Sequence, residues 1–295
     1  MRAESEFWIM RPFHGVFYLC FGAVLLILIA ASLAMRGRSE RTKRLVIAIA
    51  CGLTLIGFFV YKYCLSIDGE YNTVTELMGG FNWWGELPLQ LCNINMILIP
   101  IAVLLDRRPL MSFCFFVGPF GALMALLMPG RGFEGYSIFL PRMLGYYGTH
   151  FMVVIMGLAI VTFGLYRPRF RDLPMGLVTI FVIALAVFGV NMLLRTTGLH
   201  PKANYFFSVE TEGNFLLEIF RSWIPVPFLY LLPSIPILGG IYVPCYIWLL
   251  ARGPAQRREK EAPGGTVAVA PAEGTASGSP RDDGKSISHP AGREM

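Results

Sequence analysis

Charge is scarce in this sequence. Only 15% of its 295 residues are Asp, Glu, Lys or Arg, against about a quarter in soluble domains, which argues against one large water-soluble core. Period-two alternation is also missing, and with it the signature of a membrane β-barrel, whose strands alternate lipid-facing and inward-facing positions. Histidine occurs four times, scattered and without an HExxH or HxxxH pair, so no metal centre is expected. The six cysteines, at 20, 51, 64, 92, 114 and 245, show neither CxxC spacing nor the pattern of a secreted disulfide framework. No small-residue cleavage site follows the first apolar block, so that block is expected to remain as a permanent span. Internal repeats and the paired, interrupted half-helices of many transporters are not evident.

What the chain has instead is long apolar runs. Hydrophobic residues make up 55% of the sequence and aromatics 14%. Seven blocks are long enough to cross a hydrocarbon layer of about 30 Å, which takes roughly 20 helical residues. They cover 14–35, 45–65, 87–105, 110–128, 142–166, 174–194 and 227–250. The expected fold is an all-α, multi-pass transmembrane helical bundle of about seven spans over residues 1–253. From Pro254 the composition turns to Gly, Pro, Ala, Ser and charge, and 254–295 reads as a disordered tail. In the outer loop Asp68–Asn82, Val74, Leu77, Met78 and Phe81 recur at helical spacing, so a short interfacial helix is expected there.

The net charge of +6 sits in short clusters beside the apolar blocks. That is the footprint of membrane topology and not of nucleic-acid binding. Arg36, Arg38, Arg41, Lys43 and Arg44 stand against Glu40 in the first loop, Arg107 and Arg108 beside Asp106 in the third, and Arg167, Arg169 and Arg171 beside Asp172 in the fifth. Arg252, Arg257, Arg258 and Lys260 open the tail. The alternate loops carry Asp68, Glu70, Glu76, Glu86, Glu134, Glu210, Glu212 and Glu218. The positive-inside rule then places the N-terminus outside and the C-terminus in the cytoplasm, in the cell membrane. Trp83, Trp84 and Trp223 stand where interfacial aromatics are expected.

One stretch breaks the apolar pattern. Gln90, Cys92, Asn93 and Asn95 crowd the opening turns of the third block. Polar groups at membrane depth usually face the bundle interior or a water-filled cavity. Read as a helix, this block puts Glu86, Gln90 and Asn93 on one stripe at i, i+4 and i+7, with Cys92 and Asn95 beside it. Cys92 then lies roughly 8 Å deep at 1.5 Å per residue, and His150, in the fifth block, roughly 12 Å from the same side. Tyr146 and Tyr147 precede His150 by one turn, and Asn191 falls in the same layer. A thiol needs a base to become a nucleophile, and a neutral imidazole supplies one. Amides and phenols are candidates for orienting the imidazole or stabilising an oxyanion. Lipids reach such a depth, so the chemistry this pairing points to is acyl transfer from a lipid ester through a Cys92 thioester. No cofactor is implied, and membrane lipids are the expected partners. The plainer readings stay open: Cys92 as a packing residue, a Cys64–Cys92 disulfide, and amides that merely join helices. His14, at a membrane boundary, and His200, beside Pro201, rank below His150, and His289 lies in the tail.

Leu87-Pro-Leu-Gln-Leu-Cys-Asn93 and Gly145-Tyr-Tyr-Gly-Thr-His-Phe151 together resemble motifs of the YwaF-type integral membrane family, which includes transmembrane protein 164. Ala203-Asn-Tyr-Phe-Phe-Ser208 is similar to that family's Asn-Tyr signature, and Ile224-Pro-Val-Pro-Phe-Leu-Tyr230 to its Pro-x-Pro segment. The resemblance covers roughly 50–250. It implies a compact helical bundle related to the androgen-induced membrane hydrolases. It also implies fatty-acyl transfer onto lysophospholipids, with the nucleophile at Cys92 and the histidine at His150. Two departures stand out. Gln90 and Asn93 replace the histidine and acidic residue of many bacterial members, and the last motif has lost tryptophan. A solute transporter and a non-enzymatic membrane scaffold remain as rival readings.

Overall fold

The computed structural model describes residues 6–76, 80–129, 132–240, 242–243 and 247. The expected tail over 254–295, with His289, lies outside the described residues. The described chain is mainly helical, and its β-structure is a two-residue antiparallel ribbon. In that ribbon β1 (Ile9–Met10) pairs with β2 (Tyr136–Ser137), Ile9 opposite Ser137 and Met10 opposite Tyr136. Among the described residues, five helices are long and apolar enough to cross a membrane: α1 (Gly15–Ala34), α2 (Glu40–Ser66), α5 (Arg108–Leu127), α6 (Pro141–Thr162) and the stretch Phe170–Thr196 that contains α7 (Leu173–Thr196). Their limits fall within a few residues of the expected blocks, except that α2 begins five residues early. Ser39 caps α2 by accepting from the Thr42 N–H, which draws the basic first loop into the helix.

The third block differs from expectation. Only α4 (Asn95–Leu104) is helical there, about 15 Å at 1.5 Å per residue, half of a hydrocarbon layer. Residues 86–94 form successive turns, so the i, i+4, i+7 stripe of Glu86, Gln90 and Asn93 does not form. The cause is competition for the backbone. Pro88 has no N–H to give, the Leu87 N–H goes to the Tyr205 hydroxyl at 3.0 Å, and the Asn95 amide donates to the Leu91 carbonyl at 2.8 Å. Irregular backbone is tolerated at membrane depth where protein covers it, and α5 does so here. A Cβ on Gly118 would meet Asn95 Oδ1 at 3.0 Å, and one on Gly121 would stand 3.5 Å from Leu91. The last block likewise holds a short apolar helix, Leu229–Gly240, with much of 241–250 outside the described residues. In the outer loop, Asp68 caps α3 (Gly69–Thr75) through the Tyr71 N–H. Tyr71 and Thr75 are its buried positions, while Val74 is exposed.

At the core, α6 packs on α5 and α2, and α2 on α4. Two glycines of α6 set these crossings. A Cβ on Gly145 would fall 2.2 Å from Tyr61 of α2, and one on Gly157 2.7 Å from Pro119 of α5. Small residues of this kind let membrane helices approach closely. Basic side chains tie the connections at one end of the bundle. Arg44 reaches the Val103 carbonyl and Asp106 at 2.6 and 2.9 Å. Arg108 reaches Asp172 at 2.6 Å and the Arg167 carbonyl at 3.1 Å. At the other end Arg142, fully buried at the start of α6, holds Asp68 and Glu70 at 2.9 and 2.8 Å, with Tyr136 over its guanidinium at 4.1 Å.

Candidate functional site

The turn segment 86–94 and the middle of α6 meet at Cys92 and His150. His150 Nε2 lies 3.3 Å from Cys92 Sγ, and His150 Nδ1 lies 2.7 Å from the Tyr146 carbonyl oxygen. A carbonyl only accepts, so Nδ1 carries the proton of the neutral ring. Nε2 therefore presents its lone pair to the thiol. His150 is buried and Cys92 half-buried. Cys92 and Cys64 are both free thiols, so the disulfide alternative is not realised. The imidazole is held in an aromatic sleeve, its ring 4.4 Å from that of Tyr146, which stacks on Phe133 at 4.4 Å.

The other expected site residues are placed around this pair and not in it. The Tyr146 hydroxyl donates to the Ala125 carbonyl at 2.8 Å and the Tyr147 hydroxyl to the Phe133 carbonyl at 3.1 Å. Both phenols are thus occupied with α5 and the loop that follows it. Gln90 Oε1 accepts from the Phe206 N–H at 3.1 Å. Asn93 is buried next to Cys92, and Asn95, fully buried, leaves Oδ1 without a partner. Asn191 belongs to a second cluster. Its amide donates to the Tyr205 carbonyl and Ser208 Oγ, both at 2.8 Å, and its carbonyl accepts from the Tyr205 N–H at 2.9 Å.

The TMEM164 family model matches residues 9–243. The chain belongs to the TMEM164 family. No curated protein and no solved structure gives a significant match.

In this TMEM164-family chain the Asn204-Tyr205 pair has a physical role that spacing did not reveal. Asn204 Oδ1 accepts from the Val209 and Glu210 N–H groups, both at 3.0 Å. The Tyr205 hydroxyl donates to the Trp84 carbonyl at 2.6 Å while accepting from Leu87. Burial raises the Tyr205 phenol above its usual range, so it stays neutral and serves both bonds. Phe206 and Phe207 follow with φ of 60° and 52°, strained values for bulky residues, held by Asn191 and Gln90. His200 lies at the rim, its Nδ1 3.2 Å from the Asn82 amide. Burial first, then the Arg195 charge, lowers its pKa below the ordinary value.

Sequence reasoning missed Lys62. It sits inside α2 with its side chain 8% exposed, paired with Glu86 at the head of the turn segment, and its ammonium lies 4.7 Å from the Tyr61 ring centre. The signal was present. An ionisable residue within a predicted span is by default a functional candidate, and Lys62 falls inside the second block.

Proposed function

We propose that this protein is an integral membrane acyltransferase or lipid hydrolase, with Cys92 as nucleophile and His150 as general base. The observation that carries the reading is the contact between Nε2 and Sγ, with the Tyr146 carbonyl fixing the tautomer that makes Nε2 a base. Nucleophile, base and orienting group thus stand in the order that activated nucleophiles require. The Sγ–H proton passes to Nε2 as sulfur attacks the acyl carbonyl of a lipid ester. The ester C–O bond breaks, His150 returns the proton to the leaving lipid alkoxide, and a thioester remains on Cys92. A second hydroxyl, on a lysophospholipid or water, then loses its proton to His150 as its oxygen attacks the thioester carbonyl; the C–S bond breaks, the acyl group leaves on that oxygen, and His150 returns the proton to Cys92 Sγ. The resemblance to YwaF-type proteins supports transfer onto lysophospholipids.

The same reading takes the bundle as seven spans in the cell membrane, with α4 and the helix Leu229–Gly240 as parts of two of them. The basic end faces the cytoplasm, the N-terminus lies outside, and Cys92 is reached from the outer leaflet. Membrane lipids are the partners.

The test is acylation of Cys92 in membranes supplied with a labelled diacyl phospholipid, read as hydroxylamine-labile label on the Cys92 peptide. Label in the wild type that is lost in Cys92→Ala and in His150→Ala, with all three proteins inserted, is the expected result. An unlabelled wild type, or label that persists without Cys92, overturns the reading in favour of a scaffold or transporter.

A further inference from the structure

A lysine and a glutamate buried together call for an explanation, since desolvating each ion costs several kcal/mol. Lys62 and Glu86 have side chains only 8% and 19% exposed, and the ammonium also lies against the Phe58 and Tyr61 rings at 5.3 and 4.7 Å. Their position supplies the explanation. Tyr61, the neighbour of Lys62 on α2, fills the space over Gly145 of α6, five residues before His150. Lys62 holds Glu86, six residues before Cys92. Adjacent residues of one helix therefore grip both strips of chain that form the candidate site. The segment's other side-chain anchors, Gln90 to Phe206 and Leu87 to Tyr205, tie it to the loop after α7, and α5 packs over Leu91; the Lys62 bond is the one that joins its head to the helix gripping α6.

We propose that the Lys62–Glu86 ion pair is the positioning element of this site, fixing the head of the 86–94 segment to α2 so that Cys92 meets His150. The inference rests on the Cys92–His150 reading. Neither residue is assigned contact with substrate. Each acts through the place it gives the thiol.

The test uses the full-length chain in membranes and a small permeant maleimide. Cys92 alkylation is followed by peptide mass spectrometry from neutral to alkaline pH. His150→Ala defines the profile of a thiol without its base. Lys62→Met and Glu86→Gln are each expected to slow Cys92 at neutral pH by about tenfold or more, a modest share of what a positioned base contributes, and to reproduce the His150→Ala profile. The exchanged pair Lys62→Glu with Glu86→Lys is expected to return the rate to within about threefold of wild type, as coupled partners do in a double-mutant cycle. A structural role alone would lower the amount of inserted protein and leave the profile of the inserted fraction unchanged. Wild-type profiles in both single variants overturn the inference, as does an exchanged pair no faster than they are. If His150→Ala itself leaves the profile unchanged, the Cys92–His150 reading fails first and separately. Should Lys62→Met not insert, the isosteric Glu86→Gln carries the same comparison.

Discussion

Two polar clusters stand a few residues apart in this bundle, built from similar residues and wired in opposite ways. Around Asn191, every amide atom is spent on the backbone of the 205–208 loop or on Ser208. Around His150, one ring nitrogen is spent on a carbonyl and the other is aimed at a thiol. The first arrangement has no reactive group left over, so it can specify structure and nothing more. The second leaves an imidazole lone pair and a thiol facing each other. The residue types, amides and aromatics in an apolar setting, do not distinguish the two. The partners do.

The comparison is broken most sharply by exchanging the consequences. His150→Ala should lower the rate of Cys92 acylation by about 10²–10⁴, the usual worth of a positioned general base, with little change in the amount of inserted protein. Asn191→Leu should do the reverse. It orphans the buried Tyr205 N–H, costing about 1–3 kcal/mol, read as a lower unfolding temperature in detergent, while acylation per inserted molecule stays within about threefold of wild type, since Asn191 bonds neither Cys92 nor His150. A large loss of rate in Asn191→Leu would place the loop in the chemistry and make the two clusters one site.

A smaller effect is expected at the crossing that brings the two strips together. Gly145→Ala places a methyl where Tyr61 already sits, with 2.2 Å between the new Cβ and the Tyr61 Cβ. Backbone-proximal atoms cannot swing away, so α2 and α6 must part. Overpacking of this kind costs about 1–3 kcal/mol. Because Tyr61 adjoins Lys62, Gly145→Ala should also slow Cys92 alkylation, whereas Gly148→Ala, with nothing within 4 Å of its Cβ, should do neither. Equal melting temperatures for the two variants would show that the crossing is not set by glycine.

How much of this was legible in the sequence follows from what each feature depends on. The helical class and the five long helices were readable because they depend on hydropathy over some twenty consecutive residues. The Cys92–His150 meeting was legible as a motif resemblance; the depth match pointed to the same pair, but through a helical rise to Cys92 that the turns at 86–94 do not have. The break at 86–94 was not. Pro88 is compatible with the first turn of a helix, and what unwinds the segment is the Tyr205 hydroxyl, more than a hundred residues away. For the same reason Tyr146 and Tyr147 read as site phenols. Their sequence position is right, and only the fold shows that Ala125 and Phe133 carbonyls occupy their hydroxyls. Lys62 was legible as an ionisable residue inside the second apolar block, whereas its partner Glu86 lies in a different loop and only the fold joins them.

The smallest expected effect concerns His200, which bridges the two clusters' surroundings at the rim. It bonds Asn82 in the loop before the cysteine segment and follows α7, which carries Asn191. Burial, with Arg195 and Lys202 adding repulsion and Glu86 opposing them, depresses its pKa. A base with a depressed folded pKa favours the fold in its neutral form. That contribution is complete above the unfolded value of about 6.5 and is lost as pH falls from there through the lower folded value. Unfolding temperature should therefore decline slightly over that acidic window in the wild type and decline less in His200→Gln, whose amide can still bond Asn82. Cys92 alkylation relative to its own neutral-pH value should follow the same course in both proteins, because His200 contacts the loop and not the thiol. A His200→Gln variant that altered the Cys92 profile would join the rim to the site. Matched stability curves would mean that the Asn82–His200 bond contributes nothing that protonation can remove.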